Sequence, residues 1–306
     1  MPEPAAASPA DRQLSHTLQV LTGAVLISLS APFAGLVDVS PSTSGFYRML
    51  FGAGGLLLLL LLVPRWRAQA RRQLLLGWGW SALAALFFAL DLWLWHRSIV
   101  RVGPGLATLL ANFQVFVMTI AGVLLFRERP GLRFFCALLL AMLGLWLLLV
   151  PNWPGWNPSQ RLGIVLGLLT AMAYSGYMLS LRHGQSAARS LNPVWRLLQI
   201  SLLTSVLMAL VVTLEQAGFS LPDRRNWLLL LAYGLLCQVL GWLLISRGLP
   251  HIAAGLAGLL LLLQPALSVT WDMWFFSLRL SSWQWLGLGL CLLGIYLGSL
   301  RGFRRR

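Results

Sequence analysis

The sequence predicts an all-α integral membrane protein, with ten transmembrane helices arranged as two inverted five-helix repeats. Three observations carry this. Of 306 residues, 58% are hydrophobic and only 10% charged, with a mean hydropathy of +0.77, whereas a soluble domain carries about a quarter charged residues. Ten apolar stretches follow one another, most of them near the ~20 residues a helix needs to cross a hydrocarbon core. A long segment also occurs twice.

The repeat appears when the chain is slid 150 positions along itself. Arg97 falls on Arg247, Gly105-Leu106-Ala107 on Gly255-Leu256-Ala257, Gln114 on Gln264, Phe126 on Phe276, Arg129 on Arg279 and Gly144 on Gly294. Leucine matches are cheap in so apolar a chain; coincident Gly, Gln and Arg are not. Upstream, with a small length change, Phe46-Tyr47-Arg48-Met49-Leu50 resembles Val194-Trp195-Arg196-Leu197-Leu198. Each copy holds five spans, an odd number, so the second enters the membrane from the opposite side. Many secondary transporters are built this way, with the substrate site near the midplane between the halves.

Taken in order, residues 1–17 are rich in Ala, Pro and Ser and read as a disordered cytoplasmic tail, without the basic n-region of a signal peptide. Spans follow at about 18–37, 45–63, 74–96, 105–126, 133–151, 162–182, 194–214, 227–246, 253–275 and 283–300. Residues 18–151 form the first five-helix repeat, 162–300 the second, and 301–306 a basic cytoplasmic tail. The connections are too short for a soluble domain. Backbone groups in lipid must be satisfied within their own segment, so the spans are helices. Cys136, Cys237 and Cys291 lie inside apolar segments, in no disulfide or zinc-ligand spacing, and read as small buried hydrophobes. No cofactor and no metal site is expected.

Every one of the 23 basic residues is Arg, and the formal net charge is +15. Fifteen of them, including Arg65, Arg67, Arg71, Arg72, Arg127 and Arg182, fall on the side that holds both chain ends, against six on the other. Arg48 and Arg196 sit in helix starts and add one to each. Basic residues prefer the cytoplasm, which places both termini there and the chain in a cell inner membrane as a multi-pass protein. The Arg residues punctuate apolar runs instead of clustering on a polar face, so no nucleic-acid partner is expected.

Span three ends Ala89-Leu90-Asp91-Leu92-Trp93-Leu94-Trp95-His96, span four closes on Phe126-Arg127-Glu128-Arg129, and span five carries Leu143-Gly144. These stretches resemble the drug/metabolite transporter superfamily, EamA type. The motifs are individually loose; the number, spacing and duplication of spans make their combination specific, over nearly the whole chain from Leu18 to Leu300. The resemblance implies a ten-helix permease for small organic solutes, with spans one, three, four, six, eight and nine lining a cavity and five and ten peripheral. Two departures make the halves chemically unequal. Glu128 is matched by Leu278, and Pro265, which interrupts span nine, by Val115.

Of the eight acids only Asp91 and Asp272 lie within spans. An acid there costs a few kcal/mol unless it faces a cavity or a partner. Asp91, about 9 Å from the midplane by helical rise, is the candidate for proton coupling or for gripping a cationic part of the substrate. Asp272 lies nearer the interface and reads as a headgroup-level residue. Trp95 shares the face of Asp91, where a Trp wall either receives an organic cation or aromatic solute or anchors the outer surface. Thr108, Asn112 and Gln114 in span four, Tyr174 and Tyr177 in span six, Gln238 and Trp242 in span eight, and Gln264 and Ser268 in span nine are polar or aromatic candidates for the cavity wall. Each is equally compatible with ordinary helix packing. Pro265 removes a backbone donor and marks a bending point, the gating candidate.

These readings lead to a secondary transporter moving a small organic metabolite, amino-acid-like or amphipathic and cationic, by alternating access. Export is the commoner role that the resemblance implies. Its partners are the substrate, protons where Asp91 couples them, and membrane lipids. No phosphate-binding loop exists, so ATP is not the direct energy source. The alternative from another class, an intramembrane enzyme acting on a lipid or isoprenoid, needs clustered His and acids or paired metal-binding carboxylates, which the chain lacks. A channel calls for rings built by symmetry. One chain suffices for the cavity, although Gly294 and Gly298 in span ten form a GxxxG that offers a homodimer face.

Overall fold

The computed structural model describes residues 9–102, 107, 110–149, 157–186, 191–276, 281–299 and 303–304. Span one is two helices, α1 (Pro9–Ser28) and α2 (Ser30–Leu36). Span two is α3 (Pro41–Leu62), opened by Ser40, whose hydroxyl accepts from the Thr43 N–H while Pro41 takes a first-turn place that needs no donor. A short helix, α4 (Pro64–Arg72), leads to span three, α5 (Trp78–Val102). The described parts of spans four and five are α6 (Gln114–Phe126) and α7 (Leu132–Leu149). Spans six and seven are α8 (Pro158–Ser186) and α9 (Pro193–Leu214), the latter capped by Asn192. Span eight joins α10 (Arg224–Ala232), a π-helical stretch over Tyr233–Gly241 and α11 (Trp242–Gly248). Span nine is α12 (Ala254–Leu261) and α13 (Leu263–Phe276), and span ten is α14 (Ser282–Ser299). Two residues at each of two places, Arg129–Pro130 and Phe303–Arg304, pair antiparallel.

Among the described residues, six helical stretches are long and apolar enough to cross a membrane: spans one, two, three, six, seven and eight. Four shorter apolar helices fall at spans four, five, nine and ten. Helix begins at Pro9, within the stretch expected from composition to be a disordered tail. Thr17 returns its hydroxyl to the Gln13 carbonyl, and the His16 ring stacks on His251 at 4.1 Å, which ties this first turn to the start of span nine.

Each span packs mainly on one partner in the other half: one on eight, two on seven, three on six, four on nine and five on ten. Exchanging the halves leaves this set of pairs unchanged. The register gives the sense. On the five–ten pair, Gly144 lies against Cys291 while Gly294 lies against Ala141, so the two helices run antiparallel. On the four–nine pair, Gly122 lies by Ala254 and Val115 by Gly258, again antiparallel. Spans five and ten are copies of one another, so the halves are inverted, as the odd span count requires.

The same contacts show what Gly294 of the span-ten GxxxG does within one chain. Gly294 brings α14 against the backbone of α7 within one chain, so its close approach is already used. A Cβ on Gly294 would meet the Ala141 N at 2.6 Å, whereas one on Gly289 meets nothing within 4 Å. Gly294→Ala is therefore expected to lower stability by about 1–3 kcal/mol through overpacking. Gly289→Ala should raise it by roughly 0.5–1 kcal/mol through helix propensity. Thermal unfolding of the two variants in detergent checks the opposite signs.

Candidate functional site

Three spans are interrupted at one depth. Pro32 has no N–H, so α1 stops at Ser28, four residues earlier, and Leu29 makes a tight i→i−3 turn to Leu26. Pro265 does the same to span nine, which breaks at Leu262, itself bonded to Leu259. Span four breaks at the position equivalent to Leu262, around Asn112 and Phe113, and carries no proline there. The bend therefore belongs to both halves and not to Pro265 alone.

A cavity of about 110 Å³ lies where the breaks meet. Span four contributes Asn112 and Gln114, and span nine contributes Gln264 and Pro265. Gln114 and Gln264 are repeat mates, so the two halves present the same amide to the same space. Asp91 and Trp95 enter one turn apart from α5, Tyr174 from α8 and Trp242 from the start of α11. Tyr177 and Gln238 are not in the wall. Tyr177 is buried behind it, stacked on Phe88 at 4.3 Å and edge-on to Trp242 at 4.7 Å. Gln238 donates to the Ser201 hydroxyl at 3.1 Å and packs on Gly52, so it joins helices. Thr108 lies outside the described residues, as do the side chains of Ser268 and Asp272.

Arg48 was not among the sequence candidates, and it is the main addition. It lines the cavity from α3, only 4% exposed, facing the space that holds Asp91, itself 8% exposed. Its Nη1 donates to the Tyr233 hydroxyl at 3.0 Å, and the guanidinium sits over the Tyr233 ring at 4.8 Å and the Phe88 ring at 5.5 Å. Aromatic faces offset part of the cost of a buried cation, and Asp91 lines the same cavity. The Arg48 Nε, the Trp242 Nε1 and the Gln114 Oε1 are buried without hydrogen-bond partners. Two donors and an acceptor thus stand unspent around one space, a cost tolerated in a core only for a reason. Ser28, Ser30, Phe88 and Thr170 complete the wall. The signal for Arg48 was present in the sequence: an ionisable residue within a span, in a repeated Tyr/Trp-Arg motif.

Of three ion pairs that join the halves among the described residues, two lie at opposite ends of this cavity, and the third, Arg225–Asp38 at 3.5 Å, is exposed. Helices α5 and α8 run antiparallel, with Ser98 bonded to the Gly163 carbonyl at one end and the Trp80 ring on His183 at the other. At the first end Arg97 pairs with Glu215 at 2.8 Å, lies over Trp93 at 3.9 Å, and Glu215 also accepts from the Ser42 hydroxyl. At the second end Glu128 and Arg182 pair at 2.7 Å, 5% and 2% exposed. Glu128 accepts from the Ala254 N–H at the start of α12, where the helix dipole favours an anion. Arg182 also donates to the Ile252 carbonyl and covers the Phe126 ring. Glu128, which the sequence places outside the spans, and Arg182, counted among the orientation charges, thus neutralise each other beneath the surface.

The model of the EamA-like transporter family matches residues 15–150 and again 161–300. The chain belongs to the EamA-like transporter family. Its repeat is the family domain present twice. A relative from Bacillus subtilis (strain 168), the uncharacterized transporter YwfM, is 25% identical over 272 residues, 84% of each chain. A crystal structure titled only as that of a protein superposes with a TM-score of 0.76 over 94% of this chain and 98% of the other, at 18% identity, which speaks to the fold alone. An EamA-family protein is a membrane transporter and not an enzyme, which sets the lipid-modifying alternative aside.

Removing one partner of a buried pair strands a charge. Glu128→Gln and Arg182→Met are each expected to cost about 3–5 kcal/mol, and the double variant to cost clearly less than their sum. Denaturant or thermal unfolding of the three variants measures this. The Arg97–Glu215 pair is half-exposed and contributes at most about 1 kcal/mol. Burial pushes the Glu215 carboxyl up, but the Ser42 hydroxyl and Arg97 outweigh it and hold it below its ordinary 4.5. A carboxyl depressed on folding adds stability above its ordinary value and loses it as the pH falls through the depressed one. The stability gap between the wild type and Glu215→Gln is thus expected to be constant above pH 4.5 and to close below it.

Proposed function

We propose that this EamA-family protein is an alternating-access carrier of the inner membrane for a small zwitterionic, amino-acid-like metabolite. One observation carries the reading: both halves wall a single small cavity that holds one carboxylate, Asp91, and one guanidinium, Arg48. With Asp91 alone the site favours a cation. With Arg48 opposite, it suits a solute bearing both charges, an ammonium at Asp91 and a carboxylate at Arg48, where a charge-assisted bond is strong. Trp95, Trp242 and Phe88 supply apolar surface for a side chain, and Gln114 and Gln264 offer amides from each half.

Movement follows from the two ion pairs at the ends of the cavity. When the halves rock, the pair at one end parts while the pair at the other holds, and the cavity faces each side in turn. The helix breaks at Leu29, Asn112 and Leu262 give the walls places to bend. By the Arg distribution the Glu128–Arg182 end is cytoplasmic and both termini lie there; export is the direction that the family resemblance favours. Asp91 is the group that takes up a proton if a gradient drives the cycle.

Purified protein in liposomes tests this. Saturable uptake of zwitterionic amino acids with counterflow is expected, and ohmic flux would indicate a channel instead. Asp91→Asn and Arg48→Met are each expected to lower apparent affinity tenfold to a hundredfold, as for a lost charged hydrogen bond of about 1.5–3 kcal/mol. In Asp91→Asn the pH dependence of transport should flatten. Unchanged transport and pH profile in that variant would remove Asp91 from the mechanism.

A further inference from the structure

We propose that α4 and the turn after it form a docking surface for anionic phospholipid headgroups. The chain leaves hydrocarbon at the end of α3, where Leu57, Leu58, Leu61 and Leu62 all face outward. The next nine residues, α4, carry four Arg and no acid. Helical spacing sorts them. Trp66 and Ala70, at i and i+4, form the inward strip, with Ala70 buried and Trp66 covered by Arg247 at 5.4 Å. Arg67 and Arg71 stand on one flank at i, i+4, and Arg65 and Arg72 on the other at i, i+7. All four are exposed, and among the described residues the ion pairs engage other arginines.

Two further features separate this surface from a plain orientation signal. First, α4 is fastened. The Asn192 side chain donates to Gln69 at 2.8 Å, the Asn192 N–H to the Gln73 side chain at 3.0 Å, and the Trp195 indole to the Gln73 carbonyl at 3.2 Å. The guanidinium groups therefore project from a platform held to the second half. Second, the turn that follows is apolar and outward. Leu74, Leu76, Trp78 and Trp80 are exposed, and Leu75 is 92% exposed. A structured leucine wedge beside four arginines suits only the boundary between acyl chains and headgroups. Guanidinium binds phosphate through paired N–H donors, and pairs one turn apart on one flank and two turns apart on the other match neighbouring headgroups. Because α4 is bonded to the start of α9, a lipid held there braces the two halves at this end. The inference rests on membrane residence and not on the substrate.

Thermal unfolding of the full chain in neutral maltoside micelles, titrated with phosphatidylglycerol, phosphatidylcholine or inorganic phosphate, tests this. Phosphatidylglycerol is expected to raise Tm saturably and less so at high salt. Phosphatidylcholine and phosphate at equal concentration are expected to leave it unchanged. Changing Arg65, Arg67, Arg71 and Arg72 together to Gln should weaken the phosphatidylglycerol response on the order of a hundredfold. The control Arg127→Gln/Arg133→Gln, on the same side, should keep it. If the quadruple variant is not recovered folded, the pairs Arg67→Gln/Arg71→Gln and Arg65→Gln/Arg72→Gln serve, each weakening the response roughly tenfold. A response to phosphatidylcholine equal to that of phosphatidylglycerol, an equal effect of free phosphate, or a full response in the Gln variants would each overturn the proposal.

Discussion

A helix inside a bilayer cannot break unless something else satisfies the groups it frees. Three breaks in this chain, at Leu29, around Asn112 and at Leu262, nonetheless fall at one depth, beside one cavity. Each is closed by a tight i→i−3 backbone bond, and Ser175 reaches from span six to the Gln114 carbonyl. Proline forces the first and third breaks; the second occurs without one. The common factor is position in the repeat, and its consequence is a polar space between inverted halves. Helix pairing, the cavity and the paired amides of Gln114 and Gln264 all follow from it.

Charge is the second constraint. Only eight acids balance 23 arginines, so each buried cation needs another form of compensation. Arg182 takes Glu128 and a carbonyl, Arg196 takes the Gly184 carbonyl, and Arg48 takes a tyrosine hydroxyl and two ring faces. Arg48 and Arg196 both keep buried guanidinium nitrogens without hydrogen-bond partners, but of the two only Arg48 lines the cavity that also holds Asp91. Arg182 and Arg196 join helices away from the cavity, whereas Arg48 lines it.

Much of this fold was legible because it is periodic. Span positions, the repeat and its inversion follow from apolar run length and from counting to five. Asp91, Gln114 and Gln264 stood out as polar residues in apolar runs, and the structure places all three in one wall. What escaped depends on contacts between distant segments. Arg48 looked like an orientation charge until α3 packed on the π-helical stretch that carries Tyr233. Glu128 and Arg182, 54 residues apart, read as separate loop charges. Gln238 carries the same sequence signal as Gln264, yet it packs against Gly52 and Ser201. Single-residue polarity does not distinguish a helix joint from a cavity wall.

The unequal halves acquire a physical meaning from the ion pairs. A duplicated protein whose two ends were chemically alike would open to either side with equal ease, since every contact broken at one end has a twin at the other. Here Glu128 stands where its mate is Leu278, and Arg48 meets a phenol where Arg196 meets a carbonyl. One end is closed by a buried pair seated on a helix N-terminus, and the other by a half-exposed pair that water and salt screen. Parting the buried pair strands two charges; parting the exposed one returns them to solvent. In the proposed alternating-access cycle the two ends therefore differ in stability, and side chains that differ between the copies set the resting conformation.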